Sequence, residues 1–251
     1  WHQEIEDILV LKNNKGTEDN RVRKLDYSIQ ISKLFYERFI NNEDITLFSP
    51  HDVPGLYDAF GTPEFDDLYR QYELDGSIPK RSIGGQELLL DLLKERAETG
   101  RLYIMNIDHC NEHSSFKDKV NMSNLCQEIT LPTTPLEHID GGGEIALCIL
   151  SAINVGKITK LDDLEELCDL AVRGLEELID YQEYPVAAAK KSTLARRSLG
   201  IGYIGLAHYL AKQGEHYDDP HAWKIVHQLS EAFQYYLLKS SNAIAKEKGA
   251  C

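Results

Sequence analysis

Residues 144–153 read EIALCILSAI, a run in which only Glu144 and Ser151 are polar. That length and composition suit a strand buried on both faces. A helix over Leu161–Ile179 follows it. Thr159 stands as its N-cap, Asp162 falls in the first turn, and Leu161, Leu164, Leu167, Val172, Leu175 and Leu178 line one face. Upstream, Arg101–Ile107 (RLYIMNI) alternates as a strand does, and Gly85–Thr99 before it is helical, with Gly100 as its stop. Ile45–Phe48 is a short strand ended by Ser49-Pro50, followed by short helices at Gly55–Phe60 and Pro63–Tyr72. Trp1–Lys12 reads as the end of an amphipathic helix, whereas Asp26–Phe39 follows no single period. Downstream, Val186–Leu210 joins a basic segment to GIGYIG and an apolar helical run. Trp223–Lys248 is the last helix, with Ile225, Leu229, Phe233, Tyr236 and Leu237 on one side. Helices alternating with short apolar strands specify an α/β fold with parallel strands.

The 251 residues are 42% hydrophobic and 27% charged, the balance of a globular chain able to bury one large core or two small ones. A net charge of −14 excludes a protein that wraps nucleic acid, because neutralising phosphates needs a clustered basic surface. It leaves room for a small phosphorylated ligand. The longest apolar run, Ile145–Ile153, is far short of the roughly 20 residues of a membrane helix. No signal peptide opens the chain, Trp1 is not an initiator Met, and the chain stops straight after a helix. Both ends are expected to be cuts, with residues 1–251 forming one partial domain. The five cysteines (Cys110, Cys126, Cys148, Cys168, Cys251) are an odd count without CxxC spacing. That argues against a disulfide framework or a thiolate zinc site, and for a reducing, cytoplasmic setting.

The segment Ser123-Asn124-Leu125-Cys126-Gln127-Glu128 carries the most chemistry. In an extended backbone Asn124, Cys126 and Glu128 project the same way, spanning about 13–14 Å at roughly 3.3 Å per residue. Pro132 and Pro135 discourage a helix here. A carboxylate beside a thiol raises the thiol pKa, so the trio is poorly suited to an ionic nucleophile. A thiol that gives up a hydrogen atom meets no such objection. The carboxylate is then available to take a substrate proton, and the amide to orient the substrate. The alternative is structural, with Cys126 packed and Asn124 and Glu128 in a turn.

SNLCQEITLPTTP (123–135) followed by GEIALCILSAIN (143–154) resembles the active-site stretch of the class I ribonucleotide reductase large subunit. WHQEIEDILVLKNNKG, DITLFSPHDVPGLYDAF, TGRLYIMNIDHCNEHS, RRSLGIGYIGLAHYLAK and YYLLKSSNAIAKEKGAC extend the resemblance over the whole chain. It implies part of a ten-stranded α/β barrel, with the radical cysteine on a finger loop inside it, in a partial catalytic domain spanning 1–251. It also implies reduction of ribonucleoside diphosphates to 2′-deoxy products. In that frame Cys126 matches the thiyl radical that takes the 3′ hydrogen, Glu128 the carboxylate that takes the 3′-hydroxyl proton, and Asn124 the amide that binds the ribose. Cys148 matches one of two cysteines that supply electrons and end as a disulfide; its partner would lie before Trp1. The resemblance implies no directly bound cofactor or metal. The radical would come from a metal-containing small subunit, and reducing equivalents from a thioredoxin- or glutaredoxin-type dithiol. The substrate-phosphate loop, a tyrosine pair for radical transfer and the shuttle cysteines would lie beyond Cys251. The effector regions of this allosteric enzyme would precede Trp1. The flanking parts of the subunit and a second copy in a homodimer would be its partners, with no DNA or membrane. Competing readings are a non-catalytic scaffold piece and an adenosylcobalamin-dependent reductase.

Other features compete for attention. Gly200-Ile201-Gly202-Tyr203-Ile204-Gly205 satisfies GxGxxG, but neither a β-branched strand before it nor a βαβ unit after it is evident, so helix packing through the glycines is expected. Asp108-His109-Cys110 with His113 fits no common zinc spacing. Lys190, Lys191, Arg196 and Arg197 read as a solvated basic loop. Cys110, Cys168 and Cys251 read as structural, and Tyr235-Tyr236, on a helix, as core and surface packing.

Overall fold

The computed structural model describes residues 1–138 and 142–251, as two compact units, Trp1–Pro132 and Thr133–Cys251. Helices and short strands alternate in both, and two of the three strand pairs are parallel. The α/β layout expected from the alternation is present. Among the described residues the strands form three two-stranded sheets and no closed one.

In the first unit, β1 (Tyr27–Ile31) pairs in parallel with β4 (Leu102–Asn106), and β2 (Asp44–Phe48) pairs antiparallel with β3 (Lys80–Gly84). Its helices are α1 (Ile5–Leu9), α2 (Lys33–Asn41), α3 (Leu56–Ala59), α4 (Glu64–Leu74), α5 (Gly85–Thr99) and α6 (Ile107–Glu112). Ser32 follows β1 directly and caps α2, its hydroxyl accepting from Phe35 N at 3.3 Å. Strand and helix abut there, which is why Asp26–Phe39 shows no single period. Leu47, Leu88, Leu92 and Leu102 anchor one core cluster, while Phe48, Phe65 and Tyr69 anchor another. The Tyr69 hydroxyl docks α4 on β2, donating to Thr46 O and accepting from Thr46 N, both at 2.8 Å. Glu73, one turn along, accepts from Arg38 of α2 at 2.5 Å and from the Thr46 hydroxyl at 2.6 Å. Trp1–Lys12 holds only the five-residue α1, shorter than its apolar spacing suggests.

In the second unit, β5 (Ile149–Asn154) pairs in parallel with β6 (Leu199–Ile204). Between them run α7 (Asp163–Tyr181) and α8 (Ala187–Arg196), and beyond them α9 (Leu206–Ala211) and α10 (Pro220–Lys248). Cys168 and Leu164 of α7 pack with Leu229 and Phe233 of α10 against β5. Ser240 of α10 donates to Asp169 at 2.7 Å, and Arg173 reaches Glu247 at 2.7 and 2.9 Å.

Four local expectations need correction here. The strand starts at Ile149, later than expected, because Glu144 bridges to Thr134 and Ile145 N donates to Ala188 O. Thr159 does not cap α7; its N–H and hydroxyl instead donate to the Asp163 carboxylate at 3.0 and 2.8 Å. The basic segment is helical, not a loop. Arg196 pairs with Glu144 at 3.0 Å, and Arg197 with Glu176 and Asp180 at 2.6 and 2.8 Å. Gly200 and Gly202 lie on β6 and not in a helix packing face, and β6 completes a β–α–β unit with β5. A Cβ at Gly200 would stand 2.6 Å from Leu150 Cδ2, and Gly205 turns into α9 at φ +81° with the same clearance to Asn154 Oδ1.

Candidate active site

The first unit builds the site from β4 outward. After β4 and α6 the chain leaves regular structure, and Val120 is fully buried against Met105 and Ile107. Asn111 of α6 grips the Val120 backbone. Its Nδ2 donates to Val120 O at 3.0 Å, and its Oδ1 accepts from Val120 N at 2.8 Å. One residue on, Asn121 O accepts from Gln30 Nε2 of β1 at 2.7 Å.

The next residues fold into a turn. Gln127 N donates to Asn124 O at 3.2 Å, which puts Leu125 and Cys126 at the two central positions. Gln127 sits at φ +65°, left-handed, and its Nε2 donates to the same Asn124 carbonyl at 2.8 Å. Asn124 Oδ1 accepts from Ile129 N at 3.1 Å, and the Ser123 hydroxyl donates to Ile129 O at 2.5 Å. The extended reading of 124–128 is therefore wrong, because side-chain bonds from Ser123 and Asn124 across to Ile129 close the segment on itself. Asn124, Cys126 and Glu128 do not share a strand face. They share one tight turn, with Cys126 at its crest.

Cys126 and Glu128 are exposed, and Asn124 is half-buried. Cys126 is thus in a turn but not packed, which removes half of the structural alternative. Asn124, with Ser123, Leu125, Gln127 and Gln30, lines a cavity of about 420 Å³ that also takes in Lys119. Asn124 Oδ1 is engaged by Ile129, and the two donors of the amide are on Nδ2. Cys148 lies in the second unit, exposed, just before β5.

The other cysteines differ by environment. Cys168 is fully buried, and burial pushes its thiol up to about 11. Burial also pushes the Cys110 thiol up. Both are poor thiolates, in keeping with structural roles. Cys251, by contrast, is exposed. His109 and His113 stand with ring centroids 5.9 Å apart, and the described residues hold no group of three His, Cys, Asp or Glu fit for a metal. Tyr236 packs on the second unit's core while Tyr235 is exposed on α10.

A family model described as ribonucleotide reductase, barrel domain, matches residues 1–251. The chain belongs to that family. It is 59% identical over 257 positions to the ribonucleoside-diphosphate reductase subunit alpha of Haemophilus influenzae, covering 100% of this chain and 34% of that protein. It is 57% identical to ribonucleoside-diphosphate reductase 1 subunit alpha of Escherichia coli K12, with the same coverage. It is 32% identical to the ribonucleoside-diphosphate reductase large subunit of Arabidopsis thaliana, covering 99% of this chain and 33% of that one. The chain spans about a third of the length of the curated relatives it matches. Among the described residues no helix is long and apolar enough to cross a membrane.

Within the ribonucleotide reductase frame, sequence reasoning passed over the residues that shape the turn. The Ser123-Asn124 pair carries a readable signal, since both are turn formers whose side chains compete for backbone groups. Asn111 and Gln30 carry none. Each is a lone amide whose partner lies 9 or 91 residues away in sequence.

Proposed function

We propose that the chain forms part of the ten-stranded catalytic barrel of a class I ribonucleotide reductase large subunit. It acts in reducing ribonucleoside diphosphates to their 2′-deoxy forms. The observation that carries this reading is a self-closed turn presenting Asn124, Cys126 and Glu128 in a chain matched throughout by the barrel-domain family. In this proposal the turn is the finger loop of the barrel interior, where a radical is kept from water and stray hydrogen donors.

Cys126, as a thiyl radical, takes the 3′ hydrogen atom of the ribose and becomes a thiol. Glu128 accepts the 3′-hydroxyl proton, which promotes departure of the 2′-hydroxyl as water. Asn124 holds the ribose by donating from Nδ2. Two electrons and two protons come from a dithiol that closes to a disulfide. Cys148 is one half of it, and the other half comes from sequence outside residues 1–251. Cys126 then returns its hydrogen atom to the 3′ carbon, which restores the radical. A thioredoxin- or glutaredoxin-type dithiol reopens the disulfide by exchange. A metal-containing small subunit supplies the initial radical, so this chain holds no metal of its own. The working assembly is the whole subunit, as a homodimer with that small subunit, in the reducing cytoplasm.

The test is cytidine diphosphate reduction by a full-length α subunit carrying this segment, together with a radical-bearing small subunit. Turnover in the parent that disappears in Cys126→Ser, with circular dichroism unchanged, supports the reading. Equal turnover in both rejects it.

A further inference from the structure

We infer that Gln30 is a positioning residue for Cys126, acting through the backbone of Asn121. This rests on the reading of Cys126 as the hydrogen-abstracting thiol.

The root of the turn is fixed on several sides. The Val120 side chain is fully buried, and its backbone N–H and carbonyl are both taken by the Asn111 amide. The far end is clasped by Ser123 and Asn124 onto Ile129. Between these, the bond from Gln30 Nε2 to Asn121 O ties the turn to a sheet. Gln30 belongs to β1, and its register partner on β4 is Met105, a buried residue whose Sδ lies 3.7 Å from the same Nε2. The Gln30 side chain also lines the cavity shared with Ser123, Asn124 and Gln127. Only four residues separate Asn121 from Cys126, so the position of the thiol depends on where that carbonyl is held. Hydrogen-atom transfer demands contact between sulfur and carbon, and a displacement of about 1 Å can cost about a hundredfold in rate. Losing the Gln30 donor therefore slows chemistry more than it weakens substrate binding.

The experiment uses the full-length α subunit with its radical-bearing small subunit and cytidine diphosphate, comparing Gln30→Met, Gln30→Glu and Cys126→Ser with the parent. Gln30→Met keeps the side chain's length and removes the donor. It is expected to lower kcat by about tenfold or more, with KM within about twofold of the parent. Gln30→Glu is expected to match that loss at about pH 8, where a carboxylate faces Asn121 O. Half-burial against the Asn121 carbonyl raises that carboxyl above the usual glutamate value. The variant's kcat relative to the parent should therefore climb as pH falls from about 7 towards about 5, where a protonated carboxyl donates in place of the amide. Asp26, Tyr27, Tyr57 and Lys119 also line the cavity and are present in both proteins, so the parent's own pH profile is the reference for what they contribute. A packing role predicts parental kcat for Gln30→Glu at every pH, and that result overturns the inference. If Gln30→Met does not fold, the pH-dependent ratio of Gln30→Glu decides alone. If Cys126→Ser is inactive while both Gln30 variants keep parental kcat, only this inference falls. If Cys126→Ser turns over like the parent, the radical reading has failed and the inference goes with it.

Discussion

Asn124 uses the two ends of its side-chain amide differently, and this shapes what the site can do. Its oxygen accepts from Ile129 N at 3.1 Å, and in the proposed mechanism its N–H donors serve a substrate hydroxyl. Asn124→Asp would keep the acceptor and lose the donors, a cleaner separation than truncation to Ala. Glu128 is exposed two residues beyond Cys126 and is the base of the proposed mechanism. Glu128→Gln removes the base and is expected to lower kcat for cytidine diphosphate by about 10²–10⁴-fold, with a much smaller change in KM. Steady-state kinetics of the full-length subunit would show it, and an unchanged kcat would remove Glu128 from the mechanism. These residues were singled out from SNLCQE, but their geometry was not legible there. Alternation suggested a strand, whereas two small polar side chains reaching Ile129 made a turn. Such bonds depend on rotamers that a one-dimensional pattern does not encode.

At the scale of elements, the helices with clear punctuation were the readable ones. Gly85–Thr99 ends at Gly100, which adopts φ +64° as a helix stop should. β3 was not readable, since Lys80-Arg81-Ser82 is polar and only Ile83 is buried on it. It becomes a strand because β2 offers an apolar partner. β6 was hidden for a related reason, as glycines lower strand propensity and the GxGxxG pattern points elsewhere. The strand β2 is also fixed by Tyr69, whose hydroxyl serves both Thr46 backbone groups. Tyr69→Phe leaves those buried groups unpaired and is expected to destabilise the protein by about 2 kcal/mol. Chemical denaturation would measure it. A loss below about 0.5 kcal/mol would mean that water replaces the hydroxyl.

Across the whole molecule, the α/β alternation and the parallel pairing were legible. Strand closure was not, because ten strands cannot be counted from a chain whose described residues form three pairs. The acidic balance also acts at this scale. Burial opposes ionisation of Glu73, but the bonds from Arg38 and Thr46 outweigh it and hold the carboxyl below its usual range. The Thr159 backbone does the same for Asp163, the Ser240 hydroxyl for Asp169, and Arg197 for Asp180. Carboxyls depressed in the folded state contribute stability above their unfolded pKa of about 4, and that stability is lost as pH falls through the folded values. Glu73→Gln should therefore lower Tm most at neutral pH, by the equivalent of about 3 kcal/mol. The gap to the parent should shrink below about pH 4. A gap that widened on acidification would contradict the sign of this linkage.

The central claim is that Cys126 removes the 3′ hydrogen of the substrate as an atom and gives it back. Cytidine diphosphate carrying deuterium at the 3′ carbon tests this directly, with the label read by mass spectrometry of the deoxy product. The parent subunit is predicted to turn the labelled substrate over more slowly than the unlabelled one, into product that keeps deuterium at that carbon, and Cys126→Ser to yield none. Deoxy product formed by Cys126→Ser at the parental rate would contradict the account.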